Sequence, residues 1–132
     1  MRLTGIIFSD LGQAASFMAL DRVQASLKQC LGFSPFPATL NVRPKAAEDL
    51  ETWRRVQREF AAIPLPPIDG GFCSAKIFRA RVSGAGSELE AAVLVPEVKD
   101  YPLDKIEIVA PVRVKDRFRV GDGDALTLEF IR

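Results

Sequence analysis

The chain has 132 residues, of which 48% are hydrophobic and 27% are charged, and its formal net charge at pH 7 is +1. This length and composition predict one domain with a substantial hydrophobic core, and they argue against a disordered chain. The charge balance gives no general basic field for nucleic acid, and the absence of histidine excludes histidine-dependent nucleophiles and histidine-ligated zinc or iron.

Two short strands and a helix are predicted in the N-terminal region. Residues 2–8 carry the branched and aromatic side chains typical of strands, and residues 17–20 predict a second short strand. Hydrophobic residues recur at helical spacing in residues 21–31, and Gly32 follows where a C-terminal cap belongs. We therefore expect an amphipathic helix that leads into the next segment.

That segment, LGFSPFPATLN, sets Thr39 and Asn41 two residues apart after a proline-containing turn. If residues 39–41 are extended, both side chains lie on one face of the strand and Leu40 lies on the other. A hydroxyl and an amide oxygen on one face suit a hard cation or a phosphate. The alternative, from these residues alone, is a polar turn-to-strand junction in which both side chains satisfy nearby backbone groups.

The rest of the chain predicts one more helix and several strands. Residues 48–62 show a helical hydrophobic period, and the prolines and glycines of residues 63–71 predict a loop or an extended connection. Short strands with only two helices predict a small, mainly β domain, in which closure into a barrel would protect the strand edges. The strand patterns are at residues 72–82 and 90–96, which suggest a hairpin, at 105–110, and at 125–131 after the turn Gly121-Asp122-Gly123-Asp124.

Two separated blocks of the sequence resemble the archaeal-type CTP-dependent riboflavin kinase family. LGFSPFPATLNV is similar to that family's LGFxPYPGTLN signature. VLVPEVKDYPLDKIEIVAPVRVKDRFRVGDGDALTLEF is similar to its C-terminal half, with a VPxxxxYPxxxIEIIAP run and a GDGD-type turn. The resemblance implies a mainly β fold, a small six-stranded cradle-loop barrel with two peripheral helices, formed by residues 1–132 as a single domain.

The resemblance also implies an activity and a set of site residues. The family transfers the γ-phosphate of CTP to the 5′-hydroxyl of riboflavin, giving FMN and CDP, with Mg²⁺ as cofactor. Its metal ligands fall on Thr39 and Asn41, and its flavin-side positions fall on Lys99 and Glu107, of which Glu107 is also the candidate acceptor of the hydroxyl proton. Its nucleotide-binding positions fall on Leu11, Gly12, Gln13, Ala14, Ala15, Arg113, Val114, Lys115, Asp116 and Arg117.

The chain departs from the family in the loop that holds the nucleotide. The family's GxGEGxxF pattern is matched at Gly12 and Phe17, but Asp10, Ala14 and Ala15 replace two glycines and a basic position. Glycines let backbone amides approach phosphates, and Asp10 brings a negative charge toward them. These replacements argue against an active kinase.

Other positions keep a second interpretation. Ala38 replaces the glycine before Thr39, which is acceptable if that residue does not need a positive φ. Lys99 replaces a threonine on the flavin side, where it either assists phosphate binding or blocks the isoalloxazine ring. The residues alone also fit a second interpretation, in which Glu107 is an exposed strand glutamate paired with Lys105 and the basic residues near Arg113 form a solvated surface.

Three functions follow, in descending order of support. The first is a CTP-dependent riboflavin kinase or close descendant, with CTP and riboflavin or FMN as ligands. The second is a catalytically inactive barrel that binds flavin or nucleotide, favoured by the altered glycine loop. The third is a DNA-binding barrel, which rests on fold analogy and is disfavoured by the net charge of +1.

The cellular setting is predicted from the cysteines and the N-terminal residues. Cys30 and Cys73 form no CxxC pair and are expected to be buried thiols, which suits a reducing compartment. The N-terminal apolar run is too short for a signal peptide or a membrane span. We therefore expect a cytoplasmic protein with no membrane contact, and the oligomeric state remains open.

Overall fold

The computed structural model describes residues 1–10, 13–68 and 73–132, which form a closed antiparallel barrel. Its strands occur in the spatial order β4-β5-β6-β2-β1-β7, and β7 pairs with β4 to close the ring of six. The short β3 pairs with the first residues of β4, beside the stretch that pairs with β7. The predicted mainly β, six-stranded barrel is thus confirmed. The strands are β1 (Arg2–Phe8), β2 (Leu40–Pro44), β3 (Ile63–Leu65), β4 (Ala75–Gly84), β5 (Ser87–Pro96), β6 (Ile106–Val109) and β7 (Ala125–Phe130).

Four helices surround the barrel in the described part of the chain, where two were expected. The two predicted helices are α2 (Asp21–Leu31), which ends at Gly32 in the left-handed region, and α3 (Ala47–Glu59). The additional ones are α1 (Gln13–Met18) and α4 (Val114–Phe118). None of these helices is long and apolar enough to cross a lipid bilayer.

Two sequence predictions in the connecting regions are wrong. Residues 17–20 are not a strand, because Phe17 and Met18 end α1 and pack with the apolar face of α2. A short apolar run has no period long enough to distinguish a buried helix from a strand. Cys73 is exposed, since it lies in the connection before β4, whereas Cys30 is half-buried.

The barrel wall is covered on both faces along β5. Successive strand residues point to opposite faces, so Ala91 and Val93 lie in the barrel interior while Ala92 and Leu94 lie against α2. Trp53 reaches the interior from α3, where it stacks on Phe130 and meets Phe78 edge-on, with ring centroids 5.5 and 5.8 Å apart. Hydrophobic layers therefore pack on both faces of the wall at β5, the strand that pairs with β6.

Gly5 allows β1 and β2 to approach closely, and its substitution tests the packing of the barrel. A Cβ atom at this buried position would lie 2.8 Å from Cγ2 of Val42. Gly5→Ala is expected to lower the free energy of unfolding by about 1–3 kcal/mol, because the overpacked strands must separate. Urea unfolding measures this change, and Gly121→Ala is the control, since a Cβ atom there meets nothing within 4 Å. Equal stability of the two variants would contradict the proposed packing.

Candidate functional site

Asn41 and Glu107 lie opposite each other on the outer face of the barrel, where β2 pairs with β6. Leu40 and Val42 of β2 point into the interior core, and so do the two isoleucines that flank Glu107 in β6. Alternation therefore turns Asn41 and Glu107 outward, away from that core. This agrees with the expectation that Asn41 and Leu40 occupy opposite faces of one strand.

Glu107 carries a buried carboxylate, since only 6% of its surface is exposed. The Thr39 hydroxyl donates to Oε1 at 3.2 Å, and the Tyr101 hydroxyl donates to Oε2. A buried carboxylate is costly unless such donors satisfy it. Glu107 is therefore not the exposed glutamate of the alternative interpretation, and Lys105 pairs instead with Asp10, with 2.5 Å between Nζ and Oδ2.

Asn41 presents an acceptor without a donor. Its Oδ1 is buried and has no hydrogen-bond partner, alone among the buried side-chain polar atoms of the described residues. An unpaired buried acceptor costs about 1–3 kcal/mol and calls for a functional explanation. Thr39 directly precedes β2 and is two residues from Asn41, so both side chains lie on the same face. The Thr39 hydroxyl and the Asn41 amide oxygen are therefore two neutral oxygens beside the Glu107 carboxylate. Neutral and anionic oxygens of this kind are the ligands that Mg²⁺ takes in proteins, so the donor set fits that ion.

Tyr101 is a functional candidate that the sequence analysis did not single out. Burial is the main cause that raises the pKa of its hydroxyl far above the ordinary value, followed by the hydrogen bond to Glu107 and the negative charges of Glu107 and Asp10. The hydroxyl therefore stays protonated and remains a donor to Glu107. Lys105 Nζ lies 5.6 Å from the centre of the ring. The YP pair of the C-terminal block was the one signal in the sequence for this residue.

A pocket of about 130 Å³ joins Thr39 to the basic segment at α4. Arg113 precedes α4 and donates to Asp116 at 2.7 Å, and both side chains are exposed. Val114 is buried in the core, so it can offer a ligand only its backbone. A predicted metal ligand, Thr39, and predicted nucleotide-binding residues thus line the same pocket. The pocket is lined by Phe36, Ala38, Thr39, Leu40, Ile108, Ala110, Val112, Arg113, Val114 and Lys115.

Backbone geometry explains how the threonine segment reaches this pocket. The Phe36 N–H donates to the Ala110 carbonyl at 2.7 Å, which fixes the proline-containing turn to the end of β6. Ala38 is not among the residues with positive φ, so alanine is tolerated where the family signature has glycine. The expectation that Ala38 is acceptable because this residue needs no positive φ therefore agrees with the backbone.

The remaining predicted positions are less closely grouped. Leu11 and Gly12 lie outside the described residues, and Gln13, Ala14 and Ala15 form the first turn of α1. Arg117 is exposed on α4. Lys99 is exposed in the connection between β5 and β6, next to Asp100, whose φ is 64°. No hydrogen bond or ion pair among the described residues joins Lys99 to Glu107, so a shared flavin-side role stays a prediction.

The fold and this site together define a class of protein, a small closed barrel that carries a buried carboxylate and two neutral side-chain oxygens beside a basic pocket. The family model of CTP-dependent riboflavin kinases, described as a domain of unknown function, DUF120, matches residues 7–130. The chain belongs to this family.

Curated relatives agree with this family. The chain is 35% identical to a riboflavin kinase of Pyrobaculum arsenaticum, over 99% of the chain and 61% of that protein. It is 30% identical to a riboflavin kinase of Archaeoglobus fulgidus, over 99% of the chain and 55% of that protein. A riboflavin kinase of Methanosarcina mazei is also 30% identical, over 98% of the chain and 56% of its own length. The chain thus spans between 55% and 61% of the length of these relatives.

The single tyrosine of the chain makes its protonation directly measurable. In a spectrophotometric titration, phenolate is expected to appear only well above pH 10.0, because burial and Glu107 oppose loss of the proton. The unfolded chain releases this proton near pH 10.0 while the folded chain keeps it, so the free energy of unfolding should fall as the pH rises above that value. Tyr101→Phe should weaken this pH dependence. A phenolate midpoint near pH 10.0 in folded protein would contradict the burial and the Glu107 contact.

Proposed function

We propose that this chain catalyses phosphoryl transfer from CTP to riboflavin, giving FMN and CDP. The observation that carries the proposal is the position of Thr39, whose hydroxyl contacts the buried Glu107 carboxylate and whose side chain lines the pocket with Arg113 and Lys115. Phosphoryl transfer requires a phosphate site and an acceptor hydroxyl site in direct contact. The family and the names of its relatives support the same reaction.

The nucleotide is proposed to bind on the α4 side of Thr39. The pocket is smaller than the roughly 300–1,000 Å³ of typical ligand sites, so it takes part of the nucleotide and leaves the rest on the exposed surface. Arg113 offers a guanidinium suited to bidentate phosphate contact, and Lys115 offers an ammonium. Both would counter the charge that spreads over the phosphate oxygens during transfer.

Thr39 and Asn41 would hold the Mg²⁺ that the family implies. The unpaired Oδ1 of Asn41 is the observation that supports this role, because a cation there would satisfy a buried acceptor. When bound, such an ion supplies charge neutralisation on the transferred phosphate. The Thr39 hydroxyl keeps lone pairs for this contact while it donates to Glu107.

Glu107 is proposed to orient and deprotonate the riboflavin hydroxyl. Each of its oxygens already accepts one hydrogen bond, and each keeps a lone pair for a ribityl hydroxyl. In the transfer, the 5′-oxygen forms a bond to the γ-phosphorus, the bond from that phosphorus to CDP breaks, and the hydroxyl proton passes to Oε1 of Glu107. Tyr101 and Thr39 hold the carboxylate in place for this step.

Asp10 is compatible with this proposal because its charge is countered. Its carboxylate pairs with Lys105, and the two side chains are 36% and 20% exposed. The pair has no net charge, so the repulsion of a phosphate expected from Asp10 alone is reduced.

We further propose a cytoplasmic location, in keeping with two cysteines that form no disulfide.

A second candidate function is a barrel that binds flavin without transferring phosphate. One observation favours it, since Ala14 and Ala15 belong to helix α1 where the family has a glycine-rich loop. Calorimetry separates the two functions. Magnesium-dependent binding of CTP supports the kinase, whereas riboflavin binding with no CTP binding supports the flavin-binding barrel.

Thr39→Ala and Asn41→Ala test the ligand pair. With CTP, Mg²⁺ and riboflavin, each variant should lower kcat/KM for FMN formation about 100-fold or more, because one oxygen ligand is lost. Thr52→Ala is the matched control, since Thr52 is half-buried on α3, away from Thr39 and Asn41, and its hydroxyl donates to the Glu48 carbonyl at 3.0 Å. Wild-type activity in Thr39→Ala would rule out the ligand role of Thr39.

A charge cycle at Asp10 and Lys105 tests whether the ion pair protects nucleotide binding. Lys105→Ala removes the ammonium that pairs with the Asp10 carboxylate, so the Kd for CTP should rise about fivefold, as expected for a partly exposed pair. The double variant Asp10→Asn with Lys105→Ala should return the Kd close to the wild-type value. Calorimetry with CTP and Mg²⁺ provides both values, and a double variant as weak as Lys105→Ala would disprove the compensation.

A further inference from the structure

The turn Gly121-Asp122-Gly123-Asp124 is fixed to the end of β1. The Gly123 N–H donates to the Ile7 carbonyl at 2.8 Å, and the Ile7 N–H donates to the Asp124 carbonyl at 2.9 Å. Within the turn, Oδ2 of Asp124 accepts from the Gly121 N–H at 2.8 Å. These three hydrogen bonds hold the turn against β1, and none of them uses the Asp122 side chain.

Asp122 bridges two segments that are distant in the sequence. Its Oδ2 accepts from the Ser9 hydroxyl at 2.6 Å, and its Oδ1 accepts from Lys115 Nζ at 3.2 Å. The Ser9 hydrogen bond, followed by the Lys115 contacts, lowers the pKa of this carboxyl below its ordinary value. Each oxygen of one ionised carboxylate thus holds a different segment.

Both segments belong to the predicted nucleotide site. Ser9 directly precedes the loop that replaces the family's glycine pattern, and Lys115 lines the pocket together with Thr39. We propose that Asp122 is a positioning residue for the nucleotide, which sets the Lys115 ammonium and the start of the loop at a fixed separation. This inference rests on the proposed function, and it gives the GDGD turn a role in substrate binding.

The direction in which CTP affinity changes when Asp122 is removed distinguishes a positioning role from a simple charge effect. If Asp122 only added negative charge near the phosphates, its removal would strengthen CTP binding. If Asp122 positions Lys115 and the loop, its removal frees a long side chain that CTP must then immobilise, so binding weakens. A surface ion pair by itself contributes little, which makes the bridge between two segments the relevant feature.

The test compares Asp122→Ala with Asp124→Ala by calorimetry, using CTP with Mg²⁺ and, separately, riboflavin. Asp124→Ala removes the bond to the Gly121 N–H, and among the described residues no hydrogen bond or ion pair joins the Asp124 side chain to Ser9 or Lys115, so this variant reports a purely structural effect. Asp122→Ala is expected to raise the Kd for CTP about three- to tenfold with the Kd for riboflavin unchanged, and Asp124→Ala to change neither. Ser9→Ala should produce part of the effect and be non-additive with Asp122→Ala.

Other results would overturn the inference. An unchanged or lower Kd for CTP in Asp122→Ala, or equal weakening in both aspartate variants, excludes positioning. Asp122→Asn keeps the side-chain volume, and its weaker CTP binding is required even if Asp122→Ala folds poorly. A wild-type chain that binds no CTP would instead remove the proposed function itself, and the inference with it.

Discussion

The burial of the Glu107 carboxylate is the constraint on which the site depends. A carboxylate with 6% exposure must be satisfied by donors, and here the donors come from Thr39 and Tyr101. These two residues belong to different connections, one before β2 and one before β6. The need to satisfy one buried charge therefore fixes both connections around the paired strands, and it leaves Asn41 opposite the carboxylate with its own oxygen unpaired.

The barrel makes this burial possible because its wall is packed on both faces. In β6, Ile106 and Ile108 fill the interior while Val109 packs outward with α2. Glu107 shares the outward face with Val109, so it is enclosed by neighbouring segments without entering the hydrophobic interior. The polar groups are thus anchored to rigid strands, as precise positioning of reacting groups requires.

The sequence predicted those features that depend on local pattern. Helical periods identified α2 and α3, and the alternation around Leu40 placed Asn41 on the face away from the core. Helix α1 was missed because residues 17–20 form too short an apolar run to show a period. The two bonds to Glu107 and the pairing of Asp10 with Lys105 were out of reach for a different reason, since they depend on which strands become neighbours and on the path of the connection before β6.

The folded chain shows how two residues that depart from the family pattern, Ala38 and Asp10, are accommodated. Ala38 needs no positive φ, and Asp10 is paired with Lys105, which counters its negative charge. The most direct test of the site is a crystal structure with CTP, Mg²⁺ and riboflavin. The ion should lie about 2.1 Å from Oδ1 of Asn41, with phosphate oxygens at Lys115 and a ribityl hydroxyl at Glu107. An ion that contacts neither Asn41 nor Thr39, with the nucleotide bound elsewhere, would contradict the assignment of the site.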